Sequence, residues 1–171
     1  MSGGATQPIA CDVLVIGSGA GGLAAAITAR KLGLDVVVVE KSACVGVTTA
    51  RAGGWLWIPC SPLATRAGID DSIDYARRYI QHETGPQFDA ARVDAFLENG
   101  PRMVDFFERE TDARFLLGAG YPDYHPQQPG GRDGGRAICA MPFDGRLLGA
   151  RLADVQPPAR EMTLFGLKVG S

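Results

Sequence analysis

Two short apolar runs flank an alanine-rich stretch near the start of the chain. Val13–Ile16 and Val36–Val39 are continuous apolar runs of the kind that form buried strands. Residues 23–32 between them carry helix-forming side chains, and Gly33 follows as a residue that commonly ends helices. The pattern predicts a strand, a helix and a second strand in succession, the βαβ unit.

Amphipathic patterns in the next part of the chain predict three helices. The first is capped by Asp70 or Asp71 and runs to Ile80. The second begins at Asp89 and ends at an Asn-Gly pair, and the third begins at Pro101, because proline suits the first turn of a helix. Their apolar faces are typical of packing surfaces and their charges of solvated faces.

Residues 118–150 have a different texture, in which glycine, proline, arginine and aromatic residues alternate. Loops of this length inside a compact domain are either functional or disordered. Aromatic and arginine side chains among the glycines favour an ordered wall of a site over a flexible linker.

Composition excludes several classes of function. A net charge of -2 gives no electrostatic basis for binding nucleic acid or an anionic membrane. No apolar run is long enough to span a bilayer, and the first eight residues lack the features of a secretory signal, so we expect a cytoplasmic protein. The four cysteines are scattered, and His82 and His125 are isolated, so neither a disulfide framework nor a metal site is expected.

The glycine-rich turn after the first strand carries the main candidate chemistry. Gly17 permits a tight turn, Gly19 lets backbone amides approach a pyrophosphate, and Gly22 lets the helix pack close to the strand. Glu40 follows the second strand, where a carboxylate can accept hydrogen bonds from ribose hydroxyls. The same spacing also arises by chance in glycine-rich loops, but the flanking strands and helix favour nucleotide binding.

The segment after Glu40 indicates which dinucleotide is bound. Small residues dominate it, and Thr48 and Thr49 could reach back to the pyrophosphate. Gly53–Gly54 would let the backbone lie against a flat ring system, an arrangement that suits FAD. The other interpretation is a tight structural turn before the tryptophans.

Several short motifs follow one another along nearly the whole chain. They are Gly17–Gly22, Glu40–Lys41, Gly46 with Thr48–Thr49, and Gly53–Gly54 with Trp57–Pro59. In this combination the chain resembles the fumarate reductase/3-ketosteroid dehydrogenase group of FAD-dependent oxidoreductases. The segment Tyr121–Tyr124, followed by Pro129–Gly131 and Gly135–Arg136, resembles the 3-ketosteroid Δ1-dehydrogenase-like branch more specifically.

The resemblance implies an α/β fold: a Rossmann-like FAD-binding domain of the GR2 type, with a helical insertion. We expect the chain to be the N-terminal part of that domain, incomplete at its C-terminus and without its substrate domain. The expected parts are a disordered tail (1–10), the dinucleotide-binding βαβ unit with the flavin loop (11–60), a helical segment (70–117) and an active-site loop (118–150).

The resemblance also implies which residues bind the cofactor. They are Gly17, Ser18, Gly19, Ala20, Gly21, Gly22, Glu40, Lys41, Ser42, Gly46, Thr48, Thr49, Ala50, Gly53 and Gly54. One position departs from the family: Val47 stands where the family usually has the second glycine of a pair.

The implied reaction is the dehydrogenation of a ketosteroid or a related cyclic ketone, with FAD as hydride acceptor. A base takes the proton next to the ketone and a hydride passes to flavin N5. Tyr124 matches an active-site tyrosine of the family that assists the base. The alternative for Tyr124 is a packed side chain whose hydroxyl is bonded to backbone.

Two other functions are compatible with the same residues. One is a fumarate reductase-like flavoprotein that reduces an unsaturated acid, with an arginine proton donor in another domain. The other is a catalytically silent FAD-binding module. For the isolated chain we expect weak FAD retention and no turnover.

Overall fold

The computed structural model describes residues 8–158, 163–164 and 167–168. The chain forms two compact units, one of residues 1–52 and 144–171 (unit 1) and one of residues 53–143 (unit 2). Of the predicted tail, residues 1–7 lie outside the described residues. In the described part of the chain no helix is both long and apolar enough to cross a membrane.

Unit 1 contains the predicted βαβ unit. Strand β1 (Val13–Ile16), helix α1 (Ala20–Lys31) and strand β2 (Val36–Val39) follow one another, and the two strands pair in parallel. The register places Val13 opposite Val36 and Ile16 opposite Val39. Gly33 follows the helix with a φ of 87°, a left-handed conformation that glycine adopts without strain. The mixed α/β character predicted from the apolar pattern is therefore confirmed.

The rest of unit 1 is mostly irregular. A 3-10 turn covers Thr49–Arg51, and a longer 3-10 segment, Gly145–Asp154, is kinked at Gly149. Val45 pairs with Val155 as an isolated parallel bridge. Near the end of the described chain, strands Thr163–Leu164 (β6) and Leu167–Lys168 (β7) form an antiparallel pair.

Unit 2 is built on a three-stranded antiparallel sheet. Its strands are β3 (Trp55–Trp57), β4 (Phe115–Gly118) and β5 (Ala137–Ala140), and β5 lies in the middle. The predicted grouping of residues 53–60 with the βαβ unit is wrong, because β3 pairs with β5 inside unit 2. The predicted loop 118–150 likewise contains β5 and the start of the kinked 3-10 segment.

Helices cover the sheet of unit 2 and supply half of its core. They are α2 (Pro62–Arg66), α3 (Ile73–Thr84) and α4 (Ala90–Glu110). The core cluster joins Ile58, Leu63, Val104 and Ile138, each with at most 9% of its surface exposed. Burial of such side chains is the dominant favourable term in folding.

Helix α3 begins and ends at different residues from those predicted. Ser72 caps it by accepting a 3.1 Å hydrogen bond from the amide of Tyr75, and the helix continues past Ile80 to Thr84. The prediction of a cap at Asp70 or Asp71 is wrong, because Asp71 is bonded to an arginine of another element instead.

Helix α4 is a single helix. Asp89 caps it, as predicted, by accepting a 3.1 Å hydrogen bond from the amide of Arg92. The prediction that it ends at residues 99–100, with a new helix from Pro101, is wrong. Leu97 and Val104 lie seven residues apart on one face and both are buried, so continuous packing outweighs the hydrogen bond that proline cannot donate.

The glycine-rich segment before β5 is closely packed. A Cβ on Gly130 would lie within 3 Å of the backbone of α3, and one on Gly131 within 3 Å of the backbone of Pro126. A Cβ on Gly134 would likewise lie within 3 Å of the carbonyl of Ala119. This part of the chain is a packed wall rather than a linker, as its composition predicted.

Candidate functional site

The turn after β1 is tied to the end of β2 through one carboxylate. Both the amide and the hydroxyl of Ser18 donate hydrogen bonds to Oε2 of Glu40, at 2.8 and 2.6 Å. The amide of Ser42 donates to Oε1 at 2.8 Å. The acid predicted to bind ribose therefore faces the glycine turn and is oriented by the chain itself.

These hydrogen bonds also fix the charge of Glu40. The Ser18 hydroxyl, the Ser42 amide and the Ser18 amide lower the pKa of this carboxyl from 4.5 to about 2. Glu40 is therefore ionised at neutral pH. A ribose with free hydroxyls can donate to it, whereas a phosphate at the same position would be repelled.

Ser18 extends the same network to the following loop. Its side chain is fully buried, and its hydroxyl oxygen accepts a 3.0 Å hydrogen bond from the amide of Gly46. On the other side of the turn, Oγ1 of Thr49 accepts a 3.0 Å hydrogen bond from the amide of Ala20. The structure thus brings Gly46 and Thr49 to the turn, as the FAD prediction requires.

The N-terminus of α1 lies open at this turn. Its cap residue, Gly19, has no side chain to accept a hydrogen bond, and the first turn carries no acid. Within the described residues, no acceptor is seen for the amides of Gly21 and Gly22. Unpaired amides at a helix N-terminus, together with the helix dipole, form a site for a phosphate or another anion.

Gly17 and Gly22 are required by the backbone geometry. Gly17 has a φ of 101°, and its amide donates a 2.7 Å hydrogen bond to the carbonyl of Val39. A Cβ on Gly22 would overlap the carbonyl oxygen of Gly17. The close approach of helix to strand predicted for Gly22 is what the structure shows.

The loop that follows contains one strained residue. Gly46 has a φ of 94°, and a Cβ there would contact that of Ala50 at 2.8 Å. Val47 has a φ of 44°, which is an outlier for a β-branched residue. The valine that replaces a family glycine therefore occupies a conformation that glycine would adopt freely.

The remaining predicted cofactor residues are not gathered at the turn in the same way. Lys41 and Thr48 have exposed side chains. Gly53 and Gly54 belong to unit 2, where the carbonyl of Gly54 accepts a 3.0 Å hydrogen bond from the amide of Ala140. For these positions, as for those at the turn, binding of FAD stays a prediction.

Unit 2 contains a cavity of about 430 Å³ walled by aromatic rings. We call it the aromatic cavity; its lining residues are Trp55, Leu56, Trp57, Tyr79, Ile80, Glu83, Phe96, Tyr121, Pro122, Asp123, Tyr124 and Ala137. Trp55 stacks on Tyr121 with ring centroids 4.5 Å apart, and Trp57 stacks on Phe96 at 6.3 Å. Flat rings and a volume in this range are typical of small-molecule sites.

A buried charged cluster supports one side of the aromatic cavity. The guanidinium of Arg136 forms two 2.8 Å hydrogen bonds with Asp71 and one of 2.9 Å with Asp123. It also donates to the carbonyl of Gly130 at 2.8 Å, and all three charged side chains are at most 2% exposed. Trp57 Nε1 donates to the remaining oxygen of Asp123 at 2.6 Å.

Burial and charge act in opposite directions on Arg136. Burial disfavours its charged form, but hydrogen bonds and charges from Asp71 and Asp123 outweigh that cost and raise the pKa of the guanidinium. The rings of Trp57 and Tyr79 also lie within 6 Å of it, close enough for cation–π attraction. Arg136 is therefore a permanent buried cation.

Sequence reasoning did not identify this cluster. The sequence predicts Asp71 as a possible helix cap and gives Arg136 only as part of a family motif. Arg136 lies in the bend directly before β5, and no local pattern in the sequence marks its side chain as buried.

The predicted catalytic residue lies at the edge of the aromatic cavity. Within the described residues the side chain of Tyr124 is 95% exposed, and its catalytic role stays a prediction. It directly follows Asp123, whose carboxylate is held by Trp57 and Arg136. Tyr79 is buried instead, and desolvation raises the pKa of its phenol, so its hydroxyl stays protonated at neutral pH.

Comparison with known proteins agrees with this arrangement. Residues 12–167 match the family described as FAD binding domain. The chain is 44% identical to a 3-oxosteroid 1-dehydrogenase of Mycobacterium tuberculosis over 85% of its length and 26% of that protein. It is also 44% identical to a 4-oxocyclohex-2-ene-1-carboxylate 5-dehydrogenase of Sinomonas cyclohexanicum, over 94% of its length and 27% of that protein.

A solved structure shows the same fold. The 3-ketosteroid delta1-dehydrogenase of Sterolibacterium denitrificans, crystallised with 1,4-androstadiene-3,17-dione, superposes with a TM-score of 0.84 at 38% identity. The match covers 91% of this chain and 28% of that one. The chain thus spans about a quarter of the length of the proteins it matches.

Proposed function

This chain belongs to the FAD binding domain family, and on that premise we propose that it is part of an FAD-dependent dehydrogenase of ring ketones. The single observation that carries the proposal is the 0.84 TM-score to a ketosteroid dehydrogenase over nine-tenths of the chain. In this proposal the enzyme introduces a C=C bond next to the ketone of a 3-oxosteroid.

The residues of unit 1 fit the ADP half of the cofactor. The amides of Gly21 and Gly22 at the uncapped start of α1 would hold the pyrophosphate. Glu40, ionised and fixed by Ser18, would accept the ribose hydroxyls. A Cβ on Gly22 would displace the helix from the strand and close this cradle.

The proposed reaction removes a proton and a hydride from neighbouring carbons of the ring. When bound, the flavin supplies the acceptor for the hydride from the carbon β to the ketone. The hydroxyl of Tyr124 assists removal of the proton next to the ketone, and the Asp123 carboxylate holds the backbone that presents it. Positioning of this kind, with general base catalysis, lowers the barrier to breaking the C–H bond.

The test is anaerobic reduction of the bound flavin by 4-androstene-3,17-dione, in protein expressed from its own gene and loaded with FAD. We expect loss of the oxidised-flavin absorbance and formation of the dienone. Tyr124→Phe should slow flavin reduction about 10²-fold, the lower end for general acid–base catalysis, while Tyr121→Phe leaves it unchanged. Reoxidation of reduced flavin by fumarate would favour the reductase, and failure to bind FAD would overturn the proposal.

A second candidate substrate comes from the relatives. The Sinomonas cyclohexanicum protein, named for a 4-oxocyclohexene carboxylate, is as similar as the steroid dehydrogenase and covers more of the chain. Both substrates contain a ring ketone, and they differ in whether the ring bears a carboxylate. The charges around the aromatic cavity bear on which of the two it would accept.

A further inference from the structure

We infer that Glu83 makes the aromatic cavity reject ring ketones that bear a carboxylate, so that its ligand is an uncharged ring ketone. The inference rests on the proposed function for the ketone and names a specificity-determining residue for it. It is based on two observations: the charged side chains that line the cavity are acidic, and only one of them is paired with a cation.

The lining of the aromatic cavity holds acids without a cation. Among its described lining residues, Glu83 and Asp123 are acidic and none is lysine, arginine or histidine. A site that binds a carboxylate normally offers it an arginine, a lysine or free backbone amides. The remaining wall is aromatic and aliphatic, which suits an uncharged ring.

The nearest buried cation cannot serve a ligand carboxylate. Arg136 lies behind the aromatic wall, 5.5 Å from the ring centroid of Trp57, and is fully buried. Four of its five N–H donors are committed to Asp71, Asp123 and the carbonyl of Gly130. With two carboxylates around one guanidinium, this cluster is itself negative.

The two lining acids differ in how their charge is compensated. Asp123 is paired with a cation and accepts three hydrogen bonds: Oδ1 accepts from Trp57 Nε1, and Oδ2 accepts from Arg136 Nη1 and the amide of Arg132. Glu83 has one described partner, Nδ1 of His125 at 2.8 Å from its Oε2, and no guanidinium or ammonium pairs with it in the described chain. With a neutral imidazole, Glu83 carries the uncompensated negative charge of the lining.

The position of Glu83 lets that charge act on a ligand. Its side chain is 27% exposed and lies on the last turn of α3, one turn beyond the buried Tyr79. Two like charges about 4 Å apart repel by about 1 kcal/mol even at the dielectric constant of water, or about fivefold in affinity, and by more where water is excluded. An anionic ketone whose carboxylate lies that close to Glu83 therefore binds about fivefold more weakly than a neutral one of the same shape.

The test uses a matched pair of ligands, 4-oxocyclohexanecarboxylate and its methyl ester. Both tryptophans of the chain line the cavity, so quenching of intrinsic fluorescence reports binding without flavin chemistry. Titrations are run well above the pH range in which imidazoles protonate. We expect the ester to quench with about fivefold higher affinity than the acid.

Variants of Glu83 assign the preference to this side chain. Glu83→Gln should bring the two affinities to within about twofold, and Glu83→Lys should make the acid the tighter ligand. Glu98→Gln, on the exposed surface of α4 and outside the lining, should keep the wild-type ratio.

Equal affinities in the wild-type chain, or an unchanged ratio in both Glu83 variants, would overturn the inference, as would absence of quenching by the ester. Reduction of flavin by a neutral ketosteroid tests the proposed function separately. A protein that reduces its flavin in that way but binds acid and ester alike would keep the proposed function and lose this inference.

Discussion

Ser18 and Glu40 are joined by two hydrogen bonds that end on the same carboxylate oxygen, Oε2. The second oxygen, Oε1, accepts from the Ser42 amide and retains a lone pair for a further donor. The chain therefore orients the acid before any ligand arrives. A ribose that binds there meets a fixed and ionised acceptor, which lowers the entropy cost of binding.

The lowered pKa of Glu40 predicts a specific dependence of stability on pH. Because the folded carboxyl titrates at about 2 and an unfolded one at about 4.5, its contribution is complete above pH 4.5. It is lost as the pH falls from 4.5 to 2. Denaturant unfolding of wild type and Glu40→Gln should therefore show a steeper loss of stability in wild type over this range. Parallel curves would contradict the prediction, and Glu98→Gln is the control.

Adjacent glycines at the start of α1 provide a second test. Gly22→Ala places a Cβ onto the carbonyl oxygen of Gly17, so we expect loss of FAD binding and marked destabilisation. Gly21→Ala meets no atom within 4 Å and should stabilise the helix by up to about 1 kcal/mol, the difference in helix propensity. Thermal unfolding and FAD titration of both variants measure these effects. Equal effects of the two substitutions would refute the packing role of Gly22.

Val47→Gly should stabilise the chain, an unusual result for a substitution to glycine. Strain at a left-handed non-glycine residue costs about 1–3 kcal/mol, and glycine gives back about 0.5–1 kcal/mol as unfolded-chain entropy. We therefore expect a net gain of about 1 kcal/mol in the free energy of unfolding. Val38→Gly makes the same chemical change in the extended strand β2 and should destabilise; a loss at both positions would contradict the assignment of strain.

The βαβ unit could be predicted from sequence because its signals are local. Apolar runs, the turn at Gly17 and the helix end at Gly33 each depend on neighbouring residues, and the structure has all of them. The continuity of helix α4 could not be predicted, because Pro101 is a strong local signal for the start of a new helix. Only the burial of Leu97 and Val104, on either side of Pro101, shows that the helix continues.

The buried cluster of Asp71, Asp123 and Arg136 beside the aromatic cavity could not be predicted either, because its contacts are not local. Asp71 and Arg136 are 65 residues apart in the chain, and nothing near either residue in the sequence identifies the other as its partner. A single sequence shows charged residues in a loop and at a helix start, both of which are usually solvated. Tyr124 could be named only through the family motif, since no local pattern distinguishes it from Tyr121.

The buried cluster should tolerate no loss of its cation. Arg136→Met removes the partner of two buried carboxylates, Asp71 and Asp123, and should destabilise unit 2 by about 3–5 kcal/mol. Arg102→Met breaks only an exposed pair with Glu98 and should change stability by at most about 1 kcal/mol. Denaturant unfolding followed by fluorescence of Trp57, whose indole donates to Asp123, measures both; similar costs would show that Arg136 is not structural.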